Sequence, residues 1–136
     1  MTAAQTSAET PATPILILVA HGARDPLWAA PLQRIAEVVR AQAPLQRVRT
    51  AFLGMLAPSL EECIAEAIDR GEQDFLIVPV FIAEGGHLKR DLPDRLVALR
   101  AQYPQACFTQ ERALGEAESV VQAMAAHALA QLQRAS

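Results

Sequence analysis

The stretch ILILVAHGARDP, residues Ile15–Pro26, opens with a six-residue apolar run that ends at a histidine–glycine pair. Ile15–Ala20 is too short for a helix and does not alternate, as expected of a strand buried on both faces. Working outward, Trp28, Leu32, Ile35 and Val39 follow at helical spacing, with Trp28 expected to anchor that helix and Pro44 to end it. Val48–Met55 reads as a second strand. Pro58-Ser59 opens a helix whose apolar stripe is Leu60, Cys63, Ile64, Ala67 and Ile68, closed by Gly71. Phe75–Ala83 is a third strand, and its internal Pro79 predicts a local break in the ladder. Leu92, Leu96, Leu99 and Tyr103 mark a third helix, stopped at Pro104, with Asp91 as its expected N-cap and Pro93 in its first turn. Ala106–Thr109 is a short fourth strand. Glu116–Arg134 is a final Ala-rich helix, with Val120, Val121, Met124, Ala128 and Leu132 expected to face inward.

Strands alternating with helices require a parallel sheet covered on both faces, because parallel neighbours need a crossover. The expected fold is therefore α/β: a three-layer, flavodoxin-like domain with four parallel strands in the order 2-1-3-4. In that order the chain reverses direction between strands one and three. A crevice opens there at the strands' carboxyl ends, where open α/β sheets bind ligands.

With 136 residues the chain is expected to form one domain over residues 14–136, behind a disordered tail at 1–13. That tail carries no Lys or Arg and no apolar core, so it does not read as a secretory signal, and a cytoplasmic protein is expected. At 51% hydrophobic and 20% charged the composition is that of a folded domain. No apolar run reaches the length of a membrane span. A net charge of −3 offers no electrostatic footprint for nucleic acid. Cys63 and Cys107, both in apolar surroundings, are expected to be reduced core thiols.

The two loops flanking the expected crevice each place a histidine beside glycine: His21-Gly22 after strand one, and Gly85-Gly86-His87 after strand three. Paired imidazoles at one crevice suit either a borderline transition metal or acid–base work near neutral pH. Gly22, Gly85 and Gly86 either supply positive φ at turns or let a flat ligand approach the backbone. The pair Gly85-Gly86 lacks the context of a nucleotide-binding loop. Arg24, Lys89 and Arg90 lie on the same loops, either as solvated charge or as a clamp for an anionic substrate. His127, in the last helix, is read as a packing or boundary residue without chemistry.

Ala20–Pro26, Ala51-Phe52-Leu53 with Pro58-Ser59-Leu60, and Val78–Ile82 leading to Gly85-Gly86-His87 and Asp91-Leu92-Pro93 together resemble the small CbiX/SirB-type class II chelatases. The resemblance runs from about Ile15 to Leu132. It implies a lyase that inserts cobalt or ferrous iron into sirohydrochlorin, in cobalamin or sirohaem biosynthesis. It also implies a homodimer, since one small domain offers one wall of a macrocycle-sized cleft. The divalent metal (Co²⁺, Fe²⁺ or Ni²⁺) is substrate, with no tightly bound cofactor. By this resemblance His21 and His87 are the metal-site and catalytic histidines. Arg24, Gly85, Gly86, Lys89 and Arg90 would face the tetrapyrrole, the cations by charge and position. The family's strand-two motif usually reads Phe-Leu-Glu, with the Glu as a third metal-site residue, whereas this chain has Phe52-Leu53-Gly54. His21, Gly54 and His87 are evenly spaced at 33 residues, so the slot is aligned and the carboxylate is absent. Glu84 is the nearest carboxylate that could compensate. The alternative is a non-catalytic tetrapyrrole- or metal-binding protein on the same scaffold. A histidine phosphatase is disfavoured, because that family needs Arg where this chain has Ala20.

Overall fold

The computed structural model describes residues 13–83 and 85–135, with residues 86–88 by backbone alone. The expected tail lies, apart from Thr13, outside the described residues. Strands β1 (Ile15–Ala20), β2 (Val48–Phe52), β3 (Asp74–Pro79) and β4 (Cys107–Gln110) form one parallel sheet in the order β2-β1-β3-β4. This is the expected 2-1-3-4 arrangement. Helices α1 (Ala30–Gln42), α2 (Leu60–Asp69), α3 (Gly86–Gln102) and α4 (Glu118–Ala135) connect and follow the strands.

Alternation along β1 splits the core in two. Ile15, Ile17 and Val19 join Leu60, Cys63 and Ile64 of α2 and Leu92, Leu96 and Leu99 of α3 on one face. Leu18, with Leu16 and Ala20 at its margin, meets Leu32 and Ala36 of α1 on the other. Ser59 caps α2: its hydroxyl accepts from the Glu62 amide while the Glu62 carboxylate accepts from the Ser59 amide. That reciprocal pair satisfies two donors the first turn would otherwise leave open.

Several expectations are corrected. Pro79 ends β3 rather than interrupting it; the Val80 amide still donates to the Val19 carbonyl, after which the chain turns away. Helix α3 starts at Gly86 with Gly85 as N-cap, so Asp91 and Pro93 lie inside it. The Lys89 amide already donates to the Gly85 carbonyl, ahead of the first strongly periodic leucine, Leu92. Trp28 does not anchor α1: it sits on a 3-10 turn, Pro26–Ala29, and is 71% exposed. Leu32 and Ala36 take that role, because the helix proper begins only at Ala30.

The last helix departs furthest. α4 contributes no buried residue, and Val121, Met124 and Leu132 are exposed rather than inward. A helical stripe shows which side is apolar, but it cannot show whether the chain supplies a surface to meet it. His127 is likewise exposed on this helix.

Cys63 is buried and Cys107 exposed, which corrects the expectation of two core thiols. Both are free. Cys107 begins the sheet-edge strand β4, so one of its sides faces solvent. Burial pushes the Cys63 thiol up to about 11. At pH 8 one thiol, that of Cys107, is expected to react with a disulfide reagent in the native protein, and the second only after unfolding. Two fast native equivalents would contradict this packing.

Candidate metal and tetrapyrrole site

The site is built at the carboxyl ends of β1, β2 and β3. Beyond the last paired residues, Ala20 and Phe52, the ladder between β1 and β2 continues: the Leu53 amide donates to the Ala20 carbonyl and the Gly54 amide to the His21 carbonyl at 3.0 Å. Residue 54 is thereby held directly beside His21. The His21 ring stacks on Phe81, with centroids 4.0 Å apart and planes at 16°. Phe81, just past β3, is half-buried against the main core, so it gives the imidazole a fixed apolar backing.

Gly22 is required here. Its φ is +93°, and a Cβ at this position would fall 1.8 Å from the Gly54 carbonyl oxygen. The two loops therefore touch backbone to backbone. Gly54 is different: its φ lies outside the left-handed region, and a Cβ added there would have the His21 carbonyl oxygen as its nearest neighbour, at 4.0 Å. A Cβ at position 54 therefore displaces nothing.

Arg95 of α3 braces this edge from behind. Its guanidinium donates to the Leu53 carbonyl and lies 3.5 Å from Glu61 of α2 and 3.4 Å from Asp91. Sequence periodicity assigned Arg95 no role; its position four residues after Asp91 was the available signal for that ion pair.

The backbone of Gly85, Gly86 and His87 forms the N-terminus of α3, the positive end of its dipole. Glu84 lies outside the described residues, as do the side chains of residues 86–88. Arg24, Lys89 and Arg90 are exposed and have no ion-pair partner among the described residues. By contrast Arg34, Arg47, Arg49, Arg70, Arg95 and Arg112 are all paired. Lys89 and Arg90 lie in the first turns of α3 rather than on a loop, which corrects the expectation, and with Arg24 they stand exposed and free to meet an anionic ligand. Among the described residues no group of three or more His, Cys, Asp or Glu side chains is placed to hold a metal.

The fold and this edge define a class: an open three-layer α/β domain presenting a histidine and free cations at its topological switch point. The chain belongs to the CbiX family, whose model matches residues 15–130. It is 35% identical over 81 residues to the sirohydrochlorin cobaltochelatase of Methanopyrus kandleri, covering 60% of this chain and 57% of that one. Against the sirohydrochlorin ferrochelatase of Bacillus subtilis it is 23% identical over 109 residues, covering 80% and 42%. The chain thus spans about half the length of these curated relatives. Among solved structures, the putative cobalamin biosynthesis CbiX protein from Marinobacter aquaeolei superimposes with a TM-score of 0.81 at 25% identity, over 91% of this chain and 98% of that one. SirB from Bacillus subtilis with Fe³⁺ gives 0.70 at 22%, over 82% and 44%, a likeness of fold alone.

Proposed function

We propose that the protein inserts Co²⁺ or Fe²⁺ into sirohydrochlorin, with His21 and His87 as its metal-binding and proton-accepting residues. The observation that carries this reading is the pairing of His21, fixed on Phe81, with unpaired cations on the same crevice of a CbiX-family domain. Sirohydrochlorin is flat and polyanionic. Arg24, Lys89 and Arg90 would meet its carboxylates while Gly85 and Gly86, at the start of α3, let its edge approach the backbone.

Insertion requires the macrocycle to lose two N–H protons as four nitrogens take up one divalent ion. A neutral imidazole can hold the metal through nitrogen or accept a proton near pH 7, and two imidazoles divide these tasks. The protein would act as a homodimer, which supplies a second wall for the macrocycle and covers apolar α4 residues such as Val121, Met124 and Leu132. No described helix is long and apolar enough to cross a membrane, and a cytoplasmic location is proposed with the pathway chemistry.

The test is incubation of the protein with sirohydrochlorin and Co²⁺, Fe²⁺ or Ni²⁺, following the absorption change against the spontaneous rate. Acceleration with at least one metal is expected. Tight binding without acceleration would favour a non-catalytic carrier, the reading that Gly54 keeps open.

Gly54→Glu sharpens that choice. The backbone beside His21 accepts a Cβ at this position without strain. The substitution is therefore expected to raise Co²⁺ affinity about tenfold or more, a size comparable to the effects of groups bordering metal sites, with unfolding midpoint unchanged. Unaltered affinity in a folded Gly54→Glu protein would show that residue 54 does not face the metal.

A further inference from the structure

Met55 is a bulky residue in the left-handed region, with φ +67°. It forms the tip of a tight turn in which the Leu56 amide donates to the Gly54 carbonyl at 2.8 Å, the i to i+2 bond of a γ-turn with positive φ. Among the described residues it is the one non-glycine with positive φ. The preceding residue is Gly54, whose own φ needs no glycine. The residue suited to the strained position thus stands one place early, and a methionine occupies the strained position itself.

Packing does not compensate for this. Met55 is 71% exposed, so its side chain has no core partner in the chain. Strained residues cluster at active sites and ligand clamps, and no internal packing accounts for this one. Its location specifies which site: Gly54 is hydrogen-bonded to the His21 carbonyl and touches Gly22, so Met55 stands at the edge of the His21 site. Leu27 and Trp28 after β1, and Ile82 after β3, are also more than 70% exposed on the crevice loops. A planar macrocycle centred on His21 extends over the loops on either side of it.

We infer that Met55 is a substrate-contacting residue, whose thioether packs on the conjugated face of the tetrapyrrole and holds it over His21. The inference rests on the proposed function and deepens it. A thioether is polarizable and flexible and makes favourable contacts with π systems, which suits a large ring that must be held and then released. The exposed Leu27, Trp28 and Ile82 would extend the same apolar surface, while Arg24, Lys89 and Arg90 take the peripheral carboxylates.

The test measures metal-free sirohydrochlorin binding by fluorescence, Co²⁺ binding and thermal unfolding, on wild type, Met55→Gly and Met55→Leu. Glycine suits φ +67° and leucine keeps an apolar side chain. Met55→Gly is expected to weaken sirohydrochlorin binding about tenfold, the scale of one lost apolar side-chain contact, while its midpoint stays level or rises and Co²⁺ affinity stays unchanged. Met55→Leu is expected to keep affinity within about threefold, because burial is retained. Wild-type affinity in Met55→Gly overturns the inference and leaves the proposed function standing. Equal losses in the Gly and Leu variants overturn it too, since the turn rather than the side chain would then matter. Wild-type protein that binds Co²⁺ but no sirohydrochlorin overturns the proposed function and the role of Met55 together.

Discussion

His21→Ala is expected to lower metal insertion into sirohydrochlorin about a hundredfold or more, the scale of losing a positioned acid–base group, with the far-UV circular dichroism preserved. The reason for the preserved fold is local. His21 lies past the end of β1, outside both core clusters, and its ring makes one aromatic contact among the described residues, the stack on Phe81. Removing the ring uncovers part of Phe81 but leaves the Gly54 amide bonded to the carbonyl of residue 21, since that bond is backbone to backbone. His87→Ala, in the first turn of α3, is expected to have an effect of the same order, and the double variant little more than either alone, because groups acting as one unit are not additive. Metal titrations should show the same pattern: Co²⁺ affinity falls in each single variant. Retained turnover in both single variants would refute the assignment of these two residues.

Gly22→Ala is expected to be the most disruptive single methyl addition at the site. The new Cβ would sit 1.8 Å from the Gly54 carbonyl oxygen, and the backbone there has φ +93°. The positive φ alone costs an alanine about 1–2 kcal/mol, and overpacking against backbone adds about 1–3 kcal/mol. A loss of about 3 kcal/mol or more in denaturant unfolding is therefore expected, a large part of the stability of a domain this size. The clash also pushes the β2–α2 loop away from His21, so insertion activity falls further than stability does. A Gly22→Ala protein as stable as wild type would mean that the two loops do not meet as described. Gly54→Ala is the control: it has open space and an ordinary φ, and is expected to be nearly neutral.

Much of this architecture was legible in the residues. Short apolar runs at Ile15–Ala20 and Phe75–Ala83 read as strands buried on both faces of a parallel sheet, and the helical stripes between them dictate crossovers. From that arrangement both His-Gly loops fall at one edge of the sheet, and the observed strand order keeps them there. Expectation failed where a pattern needed a partner to be meaningful. The stripe of α4 is only partly met in the described chain, with Val120 half-buried and no residue fully buried, and Trp28, placed by spacing on a helix, stands on an exposed 3-10 turn instead. Asp91 has the chemistry of an N-cap, yet the helix had already begun at Gly86 and the carboxylate faces Arg95.

By itself, then, the sequence determined the layer order and the crevice, because these follow from local periodicity, while the resemblance to the chelatases marked Gly54 as the place of an absent carboxylate. Only the tertiary structure decided how the crevice is assembled. The backbone contact of Gly22 with Gly54, the stack of His21 on Phe81 and the brace from Arg95 are each set by register or packing between segments. Those segments meet across dozens of intervening residues, and local pattern carries no record of the distance at which they meet.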